Sequence, residues 1–255
     1  MNPLDLLFAE NLRRAGIPHA FTTRRGGVSP PPFDSLNLGR GVHDDSANVA
    51  RNRAAILRAI GIDPSRHVEA SQVHGATVAV VTARDAAGVI EGADGMVTSA
   101  PGLALAIHAA DCVPVLLADP RRRVVAAVHA GWRGSAAGIA LEAVGVLADR
   151  FESRAEDLLV AIGPAIKACH YEVDEPVFDR YRDWPWRDEL FAPNARGRWQ
   201  LDLQAVNRRQ LMDAGVPAAQ IEVLEHCTFD RPDLFFSYRR DRETGRMGAI
   251  IALSD

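Results

Sequence analysis

Apolar residues in this chain gather in short unbroken runs of Val, Ile, Leu and Ala, separated by Gly, Pro and charged residues. Runs of that length read as buried strands. They predict strands at His19–Thr23, Val68–Gln72, Thr77–Thr82, Asp94–Thr98, Leu103–Ala109, Val113–Ala118, Val124–His129, Leu158–Ile162, Ile221–Leu224 and Met247–Leu253. Asp45-Ser46 can cap a helix from Ala47 to Ile60, with an apolar stripe of Val49, Ile56, Leu57 and Ile60 and a stop at Gly61. Further helices are predicted over Ser135–Arg150, Glu175–Tyr181 and Leu203–Ala214. Strands cluster in the middle and helices fall irregularly between them, which predicts a mixed-sheet α/β or α+β fold, not a regular βαβ alternation. Arg24 to Pro32 is a loop by its Gly and Pro content, and Trp184 to Glu189 reads as a surface excursion with aromatic anchors. No repeat or linker divides the 255 residues, so one domain over 1–255 is expected.

One pair of strands carries a geometric expectation. Between Val113–Ala118 and Val124–Val128 lies Asp119-Pro120-Arg121-Arg122, with Pro at the second turn position, where tight turns favour it. If Pro120 and Arg121 are the two central residues, the ladder sets Cys112 directly opposite His129. Their Cβ atoms would then stand about 4.5–5.5 Å apart on one face. That separation suits two ligands of one ion, or a thiol–imidazole pair.

Composition narrows the function class. Apolar residues make up 47%, enough for a sizeable core, and the net charge of −4 with a pI near 6.1 leaves no basic field to hold nucleic acid. Of the 29 basic residues only Lys167 is a lysine, so a lone Arg carries little information. The cysteines are Cys112, Cys169 and Cys227, an odd number beside a start that lacks signal-peptide character. Free thiols and a reducing, cytoplasmic setting are expected. No apolar stretch approaches the ~18 residues of a membrane span, so no membrane partner is expected.

Three segments each carry one soft metal donor: Ser71-Gln72-Val73-His74-Gly75, Ala110-Asp111-Cys112-Val113-Pro114 and His129-Ala130-Gly131-Trp132-Arg133-Gly134. His74, Cys112 and His129 suit zinc or copper, and three protein ligands leave a fourth position for water or substrate, as in catalytic sites. His108 stands four residues before Cys112, about 13 Å along an extended strand, and reads as a hydrogen-bonded strand histidine. His170 beside Cys169, and His226 beside Cys227, would point to opposite faces of an extended chain, so neither pair is expected to chelate a metal. Asp111 reads equally as an acid–base group beside the metal and as an exposed turn residue. Gly131 and Gly134 flank a helix start whose N–H groups can approach an anion, without Walker-type spacing. Arg24 with Gly26-Gly27, and Phe235 to Asp241 with Arg246, are further basic clusters. An enzyme that uses phosphate needs at least one of them.

Together with Phe21-Thr-Thr-Arg-Arg-Gly-Gly-Val-Ser29, Ser35-Leu-Asn-Leu-Gly39, Ala93-Asp-Gly95, Ala161-Ile-Gly-Pro164, Tyr171-Glu-Val173 and Phe235-Phe-Ser-Tyr-Arg-Arg-Asp241, these segments span nearly the whole chain. In them the chain resembles the laccase-domain (polyphenol oxidase-like) family, described as purine nucleoside phosphorylases. The resemblance implies one layered α-β-α domain with a cysteine-hydrolase-like fold, and zinc on His74, Cys112 and His129. It implies phosphorolysis of adenosine, inosine and methylthioadenosine to free base and ribose 1-phosphate, and deamination of adenosine. Some members are described as copper-dependent laccases and some as peptidoglycan-editing factors. His170 departs from the many relatives that have cysteine there.

On this reading the partners are purine nucleosides and phosphate, and the protein is a monomer or small homo-oligomer. Asp111 is the expected proton carrier when water attacks C6 of adenosine. Arg24 is the foremost expected anion holder, with Gly131 and Arg133 as others and Asn37 as a hydrogen-bonding partner. Three rivals stand beside it. A multicopper oxidase needs more paired histidines than the eight scattered here. A metal-free hydrolase or amidase would use Cys112 as nucleophile and His129 as base. A non-catalytic partner would turn over no nucleoside.

Overall fold

The computed structural model describes residues 4–254, and among these the short apolar runs pair into two six-stranded sheets of mixed direction. The outermost residues of the expected 1–255 span lie outside the described ones. The first sheet runs β1 (Leu6–Leu7), β2 (His19–Thr22), β15 (Met247–Ile251), β7 (Ala104–Ala109), β3 (His67–Ala70), β5 (Val89–Ile90). The second runs β14 (Ile221–Val223), β10 (Leu159–Ile162), β8 (Val113–Asp119), β9 (Val124–Ala130), β6 (Gly95–Thr98), β4 (Val78–Val80). A small sheet of β11 (Glu172–Val173), β13 (Trp199–Leu201) and β12 (Phe191–Pro193) stands apart. Five strands, β1, β5, β11, β12 and β13, are too short to leave a pattern in the sequence.

The two large sheets stack face to face. Leu116 and Ala118 of β8 and Val125 and Ala127 of β9 meet Leu105 and Ile107 of β7, Phe21 of β2 and Ala249 of β15 in one core. The other face of the second sheet, with Val115, Leu117 and Val128, packs on the Ile139–Phe151 and Leu203–Asp213 helices. Behind the first sheet, Ala104, Ala106 and Ile250 pack on Ile56 and Leu57 of the Ser46–Ala59 helix. Helices outside and strands inside match the expected mixed-sheet α/β class; the β layer is two sheets thick. Strands buried on both faces must be apolar at successive positions, which is why they read as continuous runs. Among the described residues no helix is long and apolar enough to cross a membrane.

Local chemistry sets the boundaries. Asp45 accepts the Ala47 N–H at 2.8 Å and starts the first long helix where the cap predicts. The helix expected over Ser135–Arg150 is instead two, Trp132–Ala136 and Ile139–Phe151, because Gly138 between them has φ +79°. The Trp184–Glu189 excursion is pinned by Trp186, which is buried and donates its indole N–H to Asp213 at 2.7 Å.

The β8–β9 hairpin differs from the expected register. Asp119 pairs with Val124 and Pro114 with His129, so Cys112 does not stand directly opposite His129. The turn is longer because Asp119 Oδ1 accepts the N–H groups of Arg121 at 2.9 Å and Arg122 at 3.0 Å, while Arg123 turns left-handed at φ +53°. The register moves by an even step, so Cys112 and His129 keep the same side of the sheet and become diagonal neighbours.

The sheets approach closely at Gly163, just past β10. A Cβ there would lie 2.3 Å from the Phe21 ring and 2.8 Å from Pro114 Cγ. Gly163→Ala is expected to cost about 1–3 kcal/mol by overpacking, measured as a lower urea midpoint. An unchanged midpoint would mean that the sheets yield there.

Candidate metal centre

At one end of the stacked sheets three segments converge. Cys112 stands just before β8, His129 near the end of β9, and His74 in the loop after β3. Their ligand atoms lie within 4.8 Å of one another. The two imidazoles meet edge to face, with centroids 4.9 Å apart.

Asp94, just before β6 and fully buried, brings His74 to the other two. Its Oδ1 accepts the His74 N–H at 2.9 Å and faces His129 Nδ1 at 2.8 Å. Its Oδ2 accepts the N–H groups of Val73 at 3.0 Å and Gly75 at 2.7 Å. The Gln72 side chain brackets the His108 backbone, accepting its N–H at 2.8 Å and donating to its carbonyl at 2.6 Å. These bonds hold Gln72 and His74 at φ +48° and +61°, a cost borne where the surroundings over-determine the backbone. Two glycines make room. A Cβ on Gly134 would lie 2.5 Å from the Gly75 carbonyl, and one on Gly131 would lie 2.9 Å from His74 Cδ2 and 3.3 Å from Cys112 Sγ.

The electrostatics follow from this packing. Burial alone would push the Cys112 thiol up, but His129 and His74 bring it down to about 6. Burial alone would push His129 down, but the Cys112 thiolate and Asp94 raise it to about 9. Without metal, each partner's charge therefore favours the other's, and the pair is held as thiolate and imidazolium near neutral pH. Burial would raise Asp94, yet His129 and the N–H groups of Gly75 and His74 hold it below the usual carboxylate range. With Nδ1 of His129 committed to Asp94, Nε2 is left for the cluster, as in carboxylate–histidine–metal arrangements. Two imidazoles, one easily ionised thiol and an open side at exposed His74 fit a zinc or copper ion.

The cluster opens into a cavity of about 750 Å³, within the ~300–1,000 Å³ of small-molecule sites. Arg40, Glu69, His108, Tyr238 and Arg246 line it beside the three donors. Buried Glu69 accepts from Arg40 at 2.6 Å and pairs with Arg53 at 3.0 Å. Burial would raise its carboxyl, but His67, Arg53 and Arg40 hold it at about 2. Burial pushes His108 down to about 4, so its imidazole is neutral; it stands outside the three-donor cluster. Arg246 is fixed by its N–H to Asn37 Oδ1 at 2.9 Å and by Nη1 to the carbonyls of Thr244 and Gly245 at 2.8 and 3.0 Å.

The other expected site residues are not in the wall of this cavity. Arg24 Nε donates to the Asp34 carbonyl at 2.8 Å, and its guanidinium lies 4.6 Å over the Phe236 ring. Asn37 sits behind the wall, donating to Asp44 at 2.8 Å and accepting from Gly39 and Arg246. Asp111, at φ +95°, accepts the Thr228 hydroxyl on Oδ1 and the Arg239 N–H on Oδ2, both at 2.7 Å. Exposed Arg133 lies over its neighbour Trp132 at 4.3 Å. Gly131 touches the cluster by close approach, and the helix it precedes is five residues long. Sequence reasoning assigned no role to Asp94, Arg40, Glu69 or Tyr238. The signal for Asp94 is an aspartate opening an otherwise apolar strand; the others leave none.

Residues 18–254 match the family described as "Multi-copper polyphenol oxidoreductase laccase". Purine nucleoside phosphorylase YlmD of Geobacillus stearothermophilus is 42% identical, over 93% of this chain and 90% of the relative. A purine nucleoside phosphorylase of Deinococcus radiodurans is 42% identical over 98% of this chain and 93% of its own. Among solved structures, hypothetical protein YfiH of Bacillus licheniformis superposes with TM-score 0.94 at 39% identity, covering all of both chains. YlmD from Geobacillus stearothermophilus superposes at 0.91 with 40% identity over 97% of this chain and 94% of that one.

Asp94→Asn is expected to weaken metal binding about 10–100-fold, measured by competition with a chelating dye. In the metal-stripped protein, alkylation of Cys112 followed by peptide mass spectrometry should show an apparent pKa of about 6, and Asp94→Asn should raise it. Titration in the ordinary thiol range in both proteins would refute the ion-pair assignment.

Proposed function

The chain belongs to the multi-copper polyphenol oxidoreductase laccase family, and from that premise we propose that it is a zinc-dependent purine nucleoside phosphorylase that also deaminates adenosine. The observation that carries this reading is the two-histidine, one-cysteine cluster, which opens into a cavity of about 750 Å³ lined by Arg40 and Arg246. The relatives named as purine nucleoside phosphorylases match it over nearly their whole length. In this reading residues 1–255 work as one domain.

His74, Cys112 and His129 would hold the ion, which supplies a Lewis acid and a polarised water when bound. Phosphorolysis forms a bond from a phosphate oxygen to the ribose C1 carbon while the bond from that carbon to the purine nitrogen breaks. The departing base takes up a proton. The protein must therefore hold a phosphate and a nucleoside side by side. Arg246 is the foremost phosphate holder: it lines the cavity, Asn37 fixes its backbone and the Thr244 and Gly245 carbonyls fix Nη1, which leaves Nε and Nη2 to meet phosphate. The planar guanidinium fork suits phosphate oxygens. Arg40 is the second, steadied by Glu69. The half-exposed Tyr238 ring offers a face to the purine. Asp111, Arg24 and Asn37 act as positioning groups, because the polar atoms named above are committed to neighbours.

A second reading has its own support. Cys112, His129 and Asp94 form a thiolate–imidazolium–carboxylate series, the arrangement of a metal-free cysteine hydrolase. Metal content of the purified protein separates the two, since thiol-reagent inactivation without bound metal would favour the hydrolase.

Chromatography of products from adenosine, inosine and methylthioadenosine, with and without phosphate, tests the proposal. Free base is expected only with phosphate, and inosine from adenosine without it. Cys112→Ala should lose both metal and turnover. Arg246→Ala should raise the KM for phosphate by about 10–100-fold, the worth of a charged hydrogen bond, with metal content unchanged. Turnover by metal-free Cys112→Ala protein would overturn the assignment.

A further inference from the structure

We propose that Cys169, His170, Cys227 and Asp230 form a second metal site, a four-coordinate zinc clamp separate from the His74–Cys112–His129 cluster. Their four ligand atoms also lie within 4.8 Å of one another. Cys169 Sγ is 3.8 Å from Cys227 Sγ and 3.4 Å from Asp230 Oδ2. His170 Nδ1 is 3.3 Å from Cys169 Sγ and 3.1 Å from Asp230 Oδ1. Two thiolates on one tetrahedral zinc stand about 3.8 Å apart, and a thiolate and an imidazole or carboxylate about 3.5 Å. The observed separations follow the edges of such a tetrahedron. The sulfurs are too far apart to be bonded to each other.

The backbone explains how neighbouring residues share one ion. On an extended chain Cys169 and His170 would diverge. Here a turn closes at Lys167, whose carbonyl accepts the N–H groups of His170 at 3.0 Å and Tyr171 at 2.9 Å. The His170 ring stacks on Phe229 with centroids 4.2 Å apart, which fixes its direction. The two segments are already joined: Ala165 bridges Cys227, and Thr228 N–H donates to the Ala165 carbonyl at 3.0 Å. Two thiols, an imidazole and a carboxylate make a complete protein shell, the mark of a structural site. Its position gives it a task. Thr228, beside Cys227, donates to Asp111, and Ile166 N–H donates to the Asp111 carbonyl at 3.0 Å. The clamp therefore ties down both segments that hold the residue next to Cys112.

The test is metal stoichiometry of the full chain produced with zinc. About two zinc ions per chain are expected in the unaltered protein and about one in His74→Ala/Cys112→Ala. The remaining ion should be replaceable by cobalt with a thiolate charge-transfer band, and further replacement of both thiols, Cys169→Ala/Cys227→Ala, should abolish that band. His170→Ala, at a partly exposed position that spares the fold, should weaken the second ion by more than about tenfold. The proposal is overturned if folded His74→Ala/Cys112→Ala binds no zinc, or if Cys169→Ala/Cys227→Ala holds as much as the unaltered protein. It is equally overturned if Cys169 and Cys227 are isolated as a metal-free disulfide. Each readout is independent of nucleoside turnover.

Discussion

The carboxylate of Asp94 lies wholly inside the protein and meets three backbone N–H groups of the His74 loop and the ring nitrogen of His129. A buried charge survives only where donors satisfy it, and here nearly all of its capacity goes to joining two ligands that arise far apart in the chain. Without it His74 loses the bond that holds its left-handed turn, and His129 its fixed orientation. The cluster, its electrostatics and the cavity beside it all rest on this anchor.

The stacked sheets supply the frame. β7, β8 and β9 are buried along most of their length, so their middles hold core and only their ends can carry polar chemistry. Cys112 precedes β8, and His129 and His108 lie near the ends of β9 and β7, all at one rim. Reactive groups collect where rigid strands give way to loops. The rim also collects uncommon backbone, with Gln72, His74 and Asp111 all at positive φ. Each is held there by hydrogen bonds with a second segment.

The basic residues divide in a way that charge alone does not predict. Arg24 and Arg240 brace loops away from the cavity wall, whereas Arg40 and Arg246 line it, Arg246 with Nη1 on two carbonyl oxygens of its own loop. What distinguishes them is which loop the topology delivers to the rim. Arg246 precedes β15, which lies between β2 and β7 in the first sheet. Asn37, from a loop more than two hundred residues earlier, fixes its backbone.

From its sequence alone this chain determined its longer core strands, its mixed α/β class and the identity of three soft donors. Those follow from local rules: apolar runs need burial, and imidazole and thiolate are the side chains that suit zinc or copper. The same rules placed Cys112 and His129 on one side of a sheet, because the two-residue period of a strand survives an even shift of register. Only the tertiary structure decided the rest. The turn length depended on side-chain bonds from Asp119. Asp94, Arg40 and Arg246 took their places through contacts between distant segments, and Cys169 and His170 met Cys227 and Asp230 through a turn and a parallel bridge. Such pairings leave no period in the sequence, because they join segments whose spacing along the chain is set by topology and not by the geometry of any one element.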